Sequence, residues 1–408
     1  MSCKYRRIGN THADIAVAKN NLPAGYHRPL GEKPQFCPSM PHLKQISLLQ
    51  FKNYGQAAFS FGQRVIGISG PNGSGKTNLL DAIYYLCFTK SYFSGSDAQL
   101  VKKDDQGFRL SGTFDTGEGA PHEVVAILRE NGKKEISWDG EPYGRVSAHV
   151  GRLPAVVIAP DDIEMITGAS DARRKLADAM LCQIDGDYLQ HLMAYNKILQ
   201  QRNSLLKQMA ERPNTPATVL EVLDEQLATR GAYIFQKRKE SLLPFLQKAT
   251  DHYERIAGKR DDIALQYISQ LSSATADGPV REKFLQMLRQ AAPRDRTLQR
   301  STVGIHRDDL QFSMMDQAFK QTASQGQRKS LLFALKLTEY EWLEQAKGYP
   351  PLLLLDDVFE KLDDNRMHNL LTEVCLEKKG QVFITDTHQE RLNESLTAIG
   401  IPFENIRL

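Results

Sequence analysis

Cysteine is scarce, and the five residues present, Cys3, Cys37, Cys87, Cys182 and Cys375, are an odd number scattered along the chain without a C-x-x-C pair. That pattern excludes a disulfide framework and a zinc finger, and it fits a reducing cytoplasm. Long apolar runs are missing as well: no stretch of about 18 hydrophobic residues occurs, and no hydrophobic signal core is present near Met1, so neither a membrane span nor a secretory signal is expected. An excess of one charge is also lacking. The chain carries 52 basic and 49 acidic side chains, a formal net charge of +3, which is too small to imply a nucleic-acid partner but leaves room for a local basic surface. What remains is ordinary globular composition, 41% hydrophobic and 25% charged in 408 residues, enough for about two or three domains.

Against that background one stretch stands out, Gly70-Pro71-Asn72-Gly73-Ser74-Gly75-Lys76-Thr77. It matches G-x-x-x-x-G-K-[ST], follows the apolar run Arg64–Ser69 and precedes the apolar helix pattern Asn78–Cys87, the strand–loop–helix setting of a P-loop. Backbone N–H groups that wrap a phosphate chain leave little room for Cβ atoms, hence Gly70, Gly73 and Gly75. Lys76 reaches for the β- and γ-phosphates, Thr77 offers a hydroxyl to Mg²⁺, and the helix opened by Asn78 points its positive end at the anion. ATP and Mg²⁺ are therefore the expected ligands.

Taken in order, residues 1–39 hold four prolines and no sustained period, and are expected to be a disordered extension. From Leu43 to about Tyr143 short alternating runs predict a β-rich lobe around the P-loop unit. Leu153–Ala159 predicts a further buried strand ending in Pro160-Asp161-Asp162. Within 174–257 apolar residues step by threes and fours, which predicts two long helices parted by Pro213 and Pro216, a hairpin of about three to four heptads per arm. Helical character is expected to continue to about Arg300. The last hundred or so residues return to α/β, giving expected divisions at 40–173, 174–300 and 301–408.

The C-terminal part supplies what a P-loop needs. Leu352–Leu355 followed by Asp356 reads as a Walker B strand, with Asp356 holding Mg²⁺. Asp357 comes next, placed to orient and polarise a water, one methylene shorter than the glutamate usual in ATP-binding-cassette enzymes; slow hydrolysis is expected. Ser324-Gln325-Gly326-Gln327 opens a helix and reads as a signature element, a second anion site. By analogy with cassette ATPases, Ser324, Gly326 and Gln327 meet the γ-phosphate held by another copy, in a head-to-tail homodimer with two ATPs. Asp363 falls where a D-loop follows Walker B, and His388, after the strand Gln381–Thr385, is a candidate sensor of the γ-phosphate. Lys76, Asp357 and His388 are thus the catalytic candidates.

The chain resembles the RecF family of bacterial recombination-mediator ATPases, relatives of the heads of SMC-type proteins. The residues that carry the likeness are Phe51–Tyr54, Gly70–Thr77, Ala159–Ile163 with Arg173-Arg174, Tyr195 through Gln201-Arg202-Asn203, Gly304–Leu310, Ala323–Gln327 and Leu352–Asp363. His306-Arg307-Asp308-Asp309 and the SQGQ form of the signature are the most particular of these. Ile305 stands where the family usually has proline. The resemblance implies an α/β fold, an ABC-type P-loop ATPase head split by an inserted α-helical hairpin domain. It also implies an ATP-dependent dimer that binds double-stranded DNA, favours single-/double-strand junctions at gaps, and works with RecR and RecO to load RecA. A transporter ATPase keeps P-loop and signature closer together, and a structural SMC protein has far longer coiled-coil arms than 174–257. An ATP-binding DNA scaffold with negligible hydrolysis stays open beside the ATPase. The basic residues available for DNA (Lys102, Lys103, Arg173, Arg174, Lys175, Arg202, Lys237, Arg238, Lys239) are spread along the chain.

Overall fold

The computed structural model describes residues 40–408, apart from 118, 213–216, 259, 273–278 and 360–363. The expected N-terminal extension, the prolines at 213 and 216, and the D-loop residues Glu360 to Asp363 lie outside the described residues. In chain order the N-terminal elements are β1 (His42–Phe51), β2 (Tyr54–Ser60), β3 (Val65–Ser69), α1 (Lys76–Phe88), β4 (Phe108–Asp115), β5 (His122–Leu128), β6 (Lys134–Trp138), β7 (Glu141–Pro142) and β8 (Ala155–Ile158). Then come α2 (Glu164–Thr167), α3 (Ser170–Ile184), α4 (Gly186–Glu211), α5 (Ala217–Ala257), β9 (Ile263–Ile268) and α6 (Val280–Leu298). The chain continues with β10 (Asp309–Met314), β11 (Gln317–Ala318), α7 (Phe319–Thr322), α8 (Gln325–Lys347), β12 (Leu352–Leu355), α9 (Asp364–Thr372), β13 (Val382–Asp386), α10 (Gln389–Ile399) and β14 (Phe403–Arg407).

Two sheets form the head. Strands β3, β8 and β12 are buried at every position, as strands covered on both faces must be, and they pair in parallel. With β13 and β14 the order is β14-β3-β13-β12-β8. The N- and C-terminal parts of the chain interleave in this sheet: Thr385 is opposite Ile68 and Leu355 opposite Ile158, while Leu355 and Ile384 join β12 to β13. The second sheet is antiparallel, β2-β1-β4-β5-β6-β7, and β4 alternates buried and exposed residues as a one-sided strand should. Helix α1 packs on β4 and β5 of one sheet and on β8 and β13 of the other. Its eleven buried residues leave no polar stripe, the composition of a helix enclosed on all sides.

The inserted segment departs from its expected form in three ways. Three helices fall within 174–257 instead of two, because α3 begins at Ser170 and Asp185 caps a separate α4 through a hydrogen bond from the Tyr188 N–H. The hairpin arms are unequal, 26 residues in α4 and 41 in α5, and Pro244 lies inside α5 without ending it. The stretch up to Arg300 is not helical throughout either. Strand β9 pairs with β10, Ile268 opposite Asp309 and Ile263 opposite Met314, so a three-stranded sheet ties the insertion to the segment after 300. No helix among the described residues is long and apolar enough to cross a membrane.

Candidate functional site

Parallel strands place their carboxyl ends at one edge, and three of those ends carry the chemistry. Ser69 leads into the P-loop, Leu355 into Asp356, and β13 ends at Thr385-Asp386, with Asp386 opposite Ser69. Thr77 Oγ1 donates to both oxygens of Asp356 at 3.1 and 2.9 Å. Thr385 Oγ1 donates to Asp356 Oδ1 at 2.8 Å and accepts from the Asp357 N–H at 2.9 Å. Thr385 therefore fixes both acids from the adjacent strand, a role its place in an apolar run did not announce. Asp357 takes φ 44°, a left-handed conformation that Asp adopts more readily than most side chains.

Lys76 is 5% exposed and its ammonium donates to the carbonyl oxygens of Gly70 and Pro71 at 2.9 and 3.1 Å. Ser74 Oγ is buried without a hydrogen-bond partner among the described residues. Gly75 has φ 114°, and a Cβ there would lie 2.7 Å from Tyr54 Oη and 2.8 Å from Asn53 Nδ2, so only glycine fits. Asn53 and Tyr54, part of the Phe51–Tyr54 likeness but given no role by sequence, brace this loop. Asn53 Nδ2 donates to Ser74 O at 3.2 Å, Asn78 Nδ2 donates to Asn53 Oδ1 at 2.7 Å, and Tyr54 Oη donates to Gly75 O at 3.1 Å. Burial pushes the Tyr54 hydroxyl up to about 12, so it remains a donor at neutral pH. Lys52, in the same turn at φ 50°, pairs with buried Asp81 of α1 at 2.6 Å.

These residues fit a magnesium-bound nucleotide. Asp356 is 4% exposed and burial, more than any other cause, raises its carboxyl above the usual carboxylate range; a divalent cation beside it and Thr77 would favour the ionised form. Lys76 and the loop N–H groups offer positive charge, and the Ser74 hydroxyl an unused donor, to phosphate oxygens.

The other candidates are placed as follows. Ser324 is the N-cap of α8: its Oγ accepts from the Gln327 N–H at 3.2 Å, and Gln327 Oε1 accepts from the Ser324 N–H at 2.9 Å, a reciprocal capping box. Ser324 and Gln325 are exposed, and Gly326 is half-buried. His388 follows β13 with its ring 72% exposed, Nδ1 lying 2.8 Å from Thr387 Oγ1. Beneath it, buried Asp386 accepts from the His388 N–H at 3.1 Å and from Arg391 Nε at 2.8 Å, an ion pair that sequence reasoning missed. A cavity of about 350 Å³ runs from Asp356 and Asp357 along the first turns of α8 past Gln325, Arg328 and Leu332.

The motif Gly304–Leu310 is not at this edge. Its residues clasp the insertion. Arg238 of α5, 2% exposed, donates to Asp308 Oδ2, Asp178 Oδ1 and Ile305 O at 2.8, 2.8 and 2.9 Å. Tyr267 Oη also donates to Asp308 Oδ2, at 2.6 Å. Arg173 grips Asp309 with two bonds, 2.7 and 3.1 Å. His306 Nε2 donates to Ser301 O and its Nδ1 accepts from Tyr195 Oη at 2.8 Å, while burial pushes the ring down to about 4, so it is neutral at physiological pH. Arg202, fully buried, joins Asp224, Asp295 and Ser301. Arg202 and Arg238 are thus removed from the pool of DNA-facing cations.

A P-loop and an acid-ended strand on one parallel sheet, with an antiparallel lobe and a helical insertion, define an ABC-type ATPase head. Residues 42–407 match the family described as "RecF/RecN/SMC N terminal domain". "DNA replication and repair protein RecF" of Flavobacterium johnsoniae is 37% identical over 350 residues, 86% of this chain and 95% of that protein. Its namesake in Bacteroides fragilis YCH46 is 36% identical over 366 residues, 90% and 96% of the two chains. The solved "recombination mediator protein RecF-ATPrS in RecFOR pathway" superposes with a TM-score of 0.79 at 31% identity, covering 86% of this chain and 94% of that one. The chain belongs to the RecF family of DNA replication and repair proteins.

Proposed function

We propose that this chain is an ATP-dependent DNA-binding protein of recombinational repair and replication restart, whose ATP-bound homodimer binds double-stranded DNA at gaps. The observation that carries this reading is the joining of Thr77, Asp356 and Thr385 by hydrogen bonds of 2.8–3.1 Å, which assembles both halves of a nucleotide site from distant parts of the chain. Relatives named for DNA replication and repair, and solved relatives named RecF-ATPrS and RecF-ATP in the RecFOR pathway, support it. RecR and RecO are the proposed partners, RecA the recombinase whose loading they assist, and the cytoplasm the proposed location.

In this reading the P-loop and Lys76 bind the phosphates, Thr77 and Asp356 hold Mg²⁺, and Asp357 orients the attacking water for slow, DNA-stimulated hydrolysis that drives release. Mg²⁺ would supply charge neutralisation at the phosphates. Ser324, Gly326 and Gln327 face the nucleotide of the second copy, Asp363 and His388 complete the site, and 174–300 forms an inserted domain between head segments 40–173 and 301–408.

Ser324→Arg tests the dimer. It puts a long side chain on the exposed cap of α8 and leaves the P-loop untouched, so a monomer should bind a fluorescent ATP analogue within about twofold of wild type. Light scattering with ATP should then show no dimer, and duplex binding should fall with it, because two half-sites reinforce one another through effective concentration. A variant that still dimerises with ATP would rule out the sandwich arrangement.

A further inference from the structure

The signature cap does not stand alone. Gln327, whose Oε1 accepts from the Ser324 N–H, turns its Nε2 to Asp261 Oδ2 at 2.9 Å. Tyr253 Oη donates to that same oxygen at 2.5 Å. Tyr253 is a fully buried residue of α5, and its ring meets Phe319 of α7 edge-on with centroids 6.2 Å apart. Asp261 lies between α5 and β9, held by a hydrogen bond from the Ile263 N–H to its own carbonyl and by one from the Met315 N–H to the carbonyl of Asp262, each 2.9 Å. The inserted segment therefore grips the first turn of the signature helix through one carboxylate oxygen.

This contact explains a residue choice. A capping box accepts Glu or Gln at its third position equally well, but only the amide of Gln has an N–H to give Asp261. A glutamate there would set two carboxylates against each other.

We propose that Asp261 is a positioning residue for the signature: through Gln327 it fixes the first turn of α8, so the inserted segment sets the geometry that the nucleotide of a second copy meets. This rests on the reading that Ser324 faces that nucleotide. In this proposal Asp261 acts on the signature through Gln327 and not on the nucleotide.

The test measures ATP-driven dimerisation by light scattering, and ATP affinity of the monomer by a fluorescent analogue, in Asp261→Ala, Asp261→Asn and Ser324→Arg. Asp261→Ala removes a charge-assisted hydrogen bond and should weaken the ATP-dependent dimer about tenfold or more, with monomer affinity unchanged. Asp261→Asn should recover much of that loss, because the bonds from Gln327 and Tyr253 land on one oxygen that an amide carbonyl can supply. Wild-type dimerisation by Asp261→Ala, or equal loss in Asp261→Asn, would remove the positioning role provided that Ser324→Arg abolishes dimerisation. Dimerisation by Ser324→Arg would instead overturn the underlying reading. Should Asp261→Ala fail to fold, Gln327→Glu reads the same contact. Its loss of dimerisation must be relieved by adding Asp261→Asn, and no relief would sink the proposal.

Discussion

Arg238→Met should destabilise the protein strongly while sparing nucleotide binding. Arg238 is 2% exposed and carries the cationic side of a buried network that includes Asp308, 1% exposed, and Asp178. Methionine fills much of the volume but leaves buried Asp308 without a cationic partner, with only the neutral hydroxyls of Tyr267 and Ser269 described beside it. One oxygen of Asp308 already lacks a hydrogen-bond partner among the described residues, and burial already raises its carboxyl above the ordinary range even with Arg238 present. Breaking a buried pair by removing one partner costs about 3–5 kcal/mol, because the other charge stays buried. Urea denaturation followed by circular dichroism measures the loss. Adding Asp308→Asn to Arg238→Met should recover part of it, since the uncompensated charge is then gone. ATP affinity of the folded fraction should stay within about twofold, as the clasp lies away from the strand ends. A loss below about 1 kcal/mol would show that the network is no clasp, and a folded variant that no longer binds ATP would make Gly304–Leu310 part of the nucleotide site.

Other expectations bear on the site itself. Lys76→Arg keeps the charge but not the compact ammonium that fits among carbonyls and phosphates, so turnover should vanish with weak nucleotide binding retained; wild-type phosphate release would refute it. Asp357→Asn should bind ATP and trap the dimer, and loss of ATP binding would mean that Asp356 and Asp357 have exchanged roles. Asn53→Ala removes two hydrogen bonds that brace the P-loop, each worth about 1 kcal/mol, and should raise the ATP dissociation constant by up to roughly thirtyfold where the nucleotide must then order the loop; an unchanged constant would remove the bracing role. His252, fully buried, lies 3.0 Å from Glu341 and 3.2 Å from Glu373, with Lys248, Arg255 and Lys378 around the same groups. Burial opposes its charge, but the two carboxylates prevail and raise it above 6.5. Its contribution is therefore fully present below about pH 6.5 and lost as pH rises through the folded value. His252→Gln should flatten that slope in melting curves, and an unchanged slope would assign it to another group.

The parts legible in the sequence were those written in local spacing. The P-loop, the four leucines before Asp356 and the serine–glutamine cap each need only a short run of residues to declare strand, loop or helix. What escaped was set by distant partners. Strand β9 is six residues long, half-buried and alternating, and it becomes a strand because β10 lies beside it. Arg202 and Arg238 read as cations available for DNA, since nothing nearby in sequence reveals the aspartates that neutralise them. The same holds for Thr385, an unremarked residue at a strand end until the parallel register sets it against Asp356.

The two halves of the site rest on different supports, which bears on how the insertion can act. The P-loop is braced by the β1–β2 turn, through Asn53, Tyr54 and Lys52. The signature helix is braced by the insertion: Asp261 at its cap, and further along the Glu341 carboxylate, which accepts from Lys248 and His252 of α5. Between the halves, Lys336 of α8 donates to Tyr92 Oη at 3.3 Å, and Tyr92 donates to Asp162 at 2.5 Å, in a buried bridge below the strand ends. A force on α5 therefore reaches Glu341 by direct hydrogen bonds and Gln327 through Tyr253 and Asp261, whereas the described hydrogen bonds that lead towards Gly70–Thr77 are that bridge and the Thr385–Asp356–Thr77 chain. In the proposed dimer, a partner that engages the inserted helices would therefore alter the face offered to a second copy more readily than the affinity of the chain for its own nucleotide.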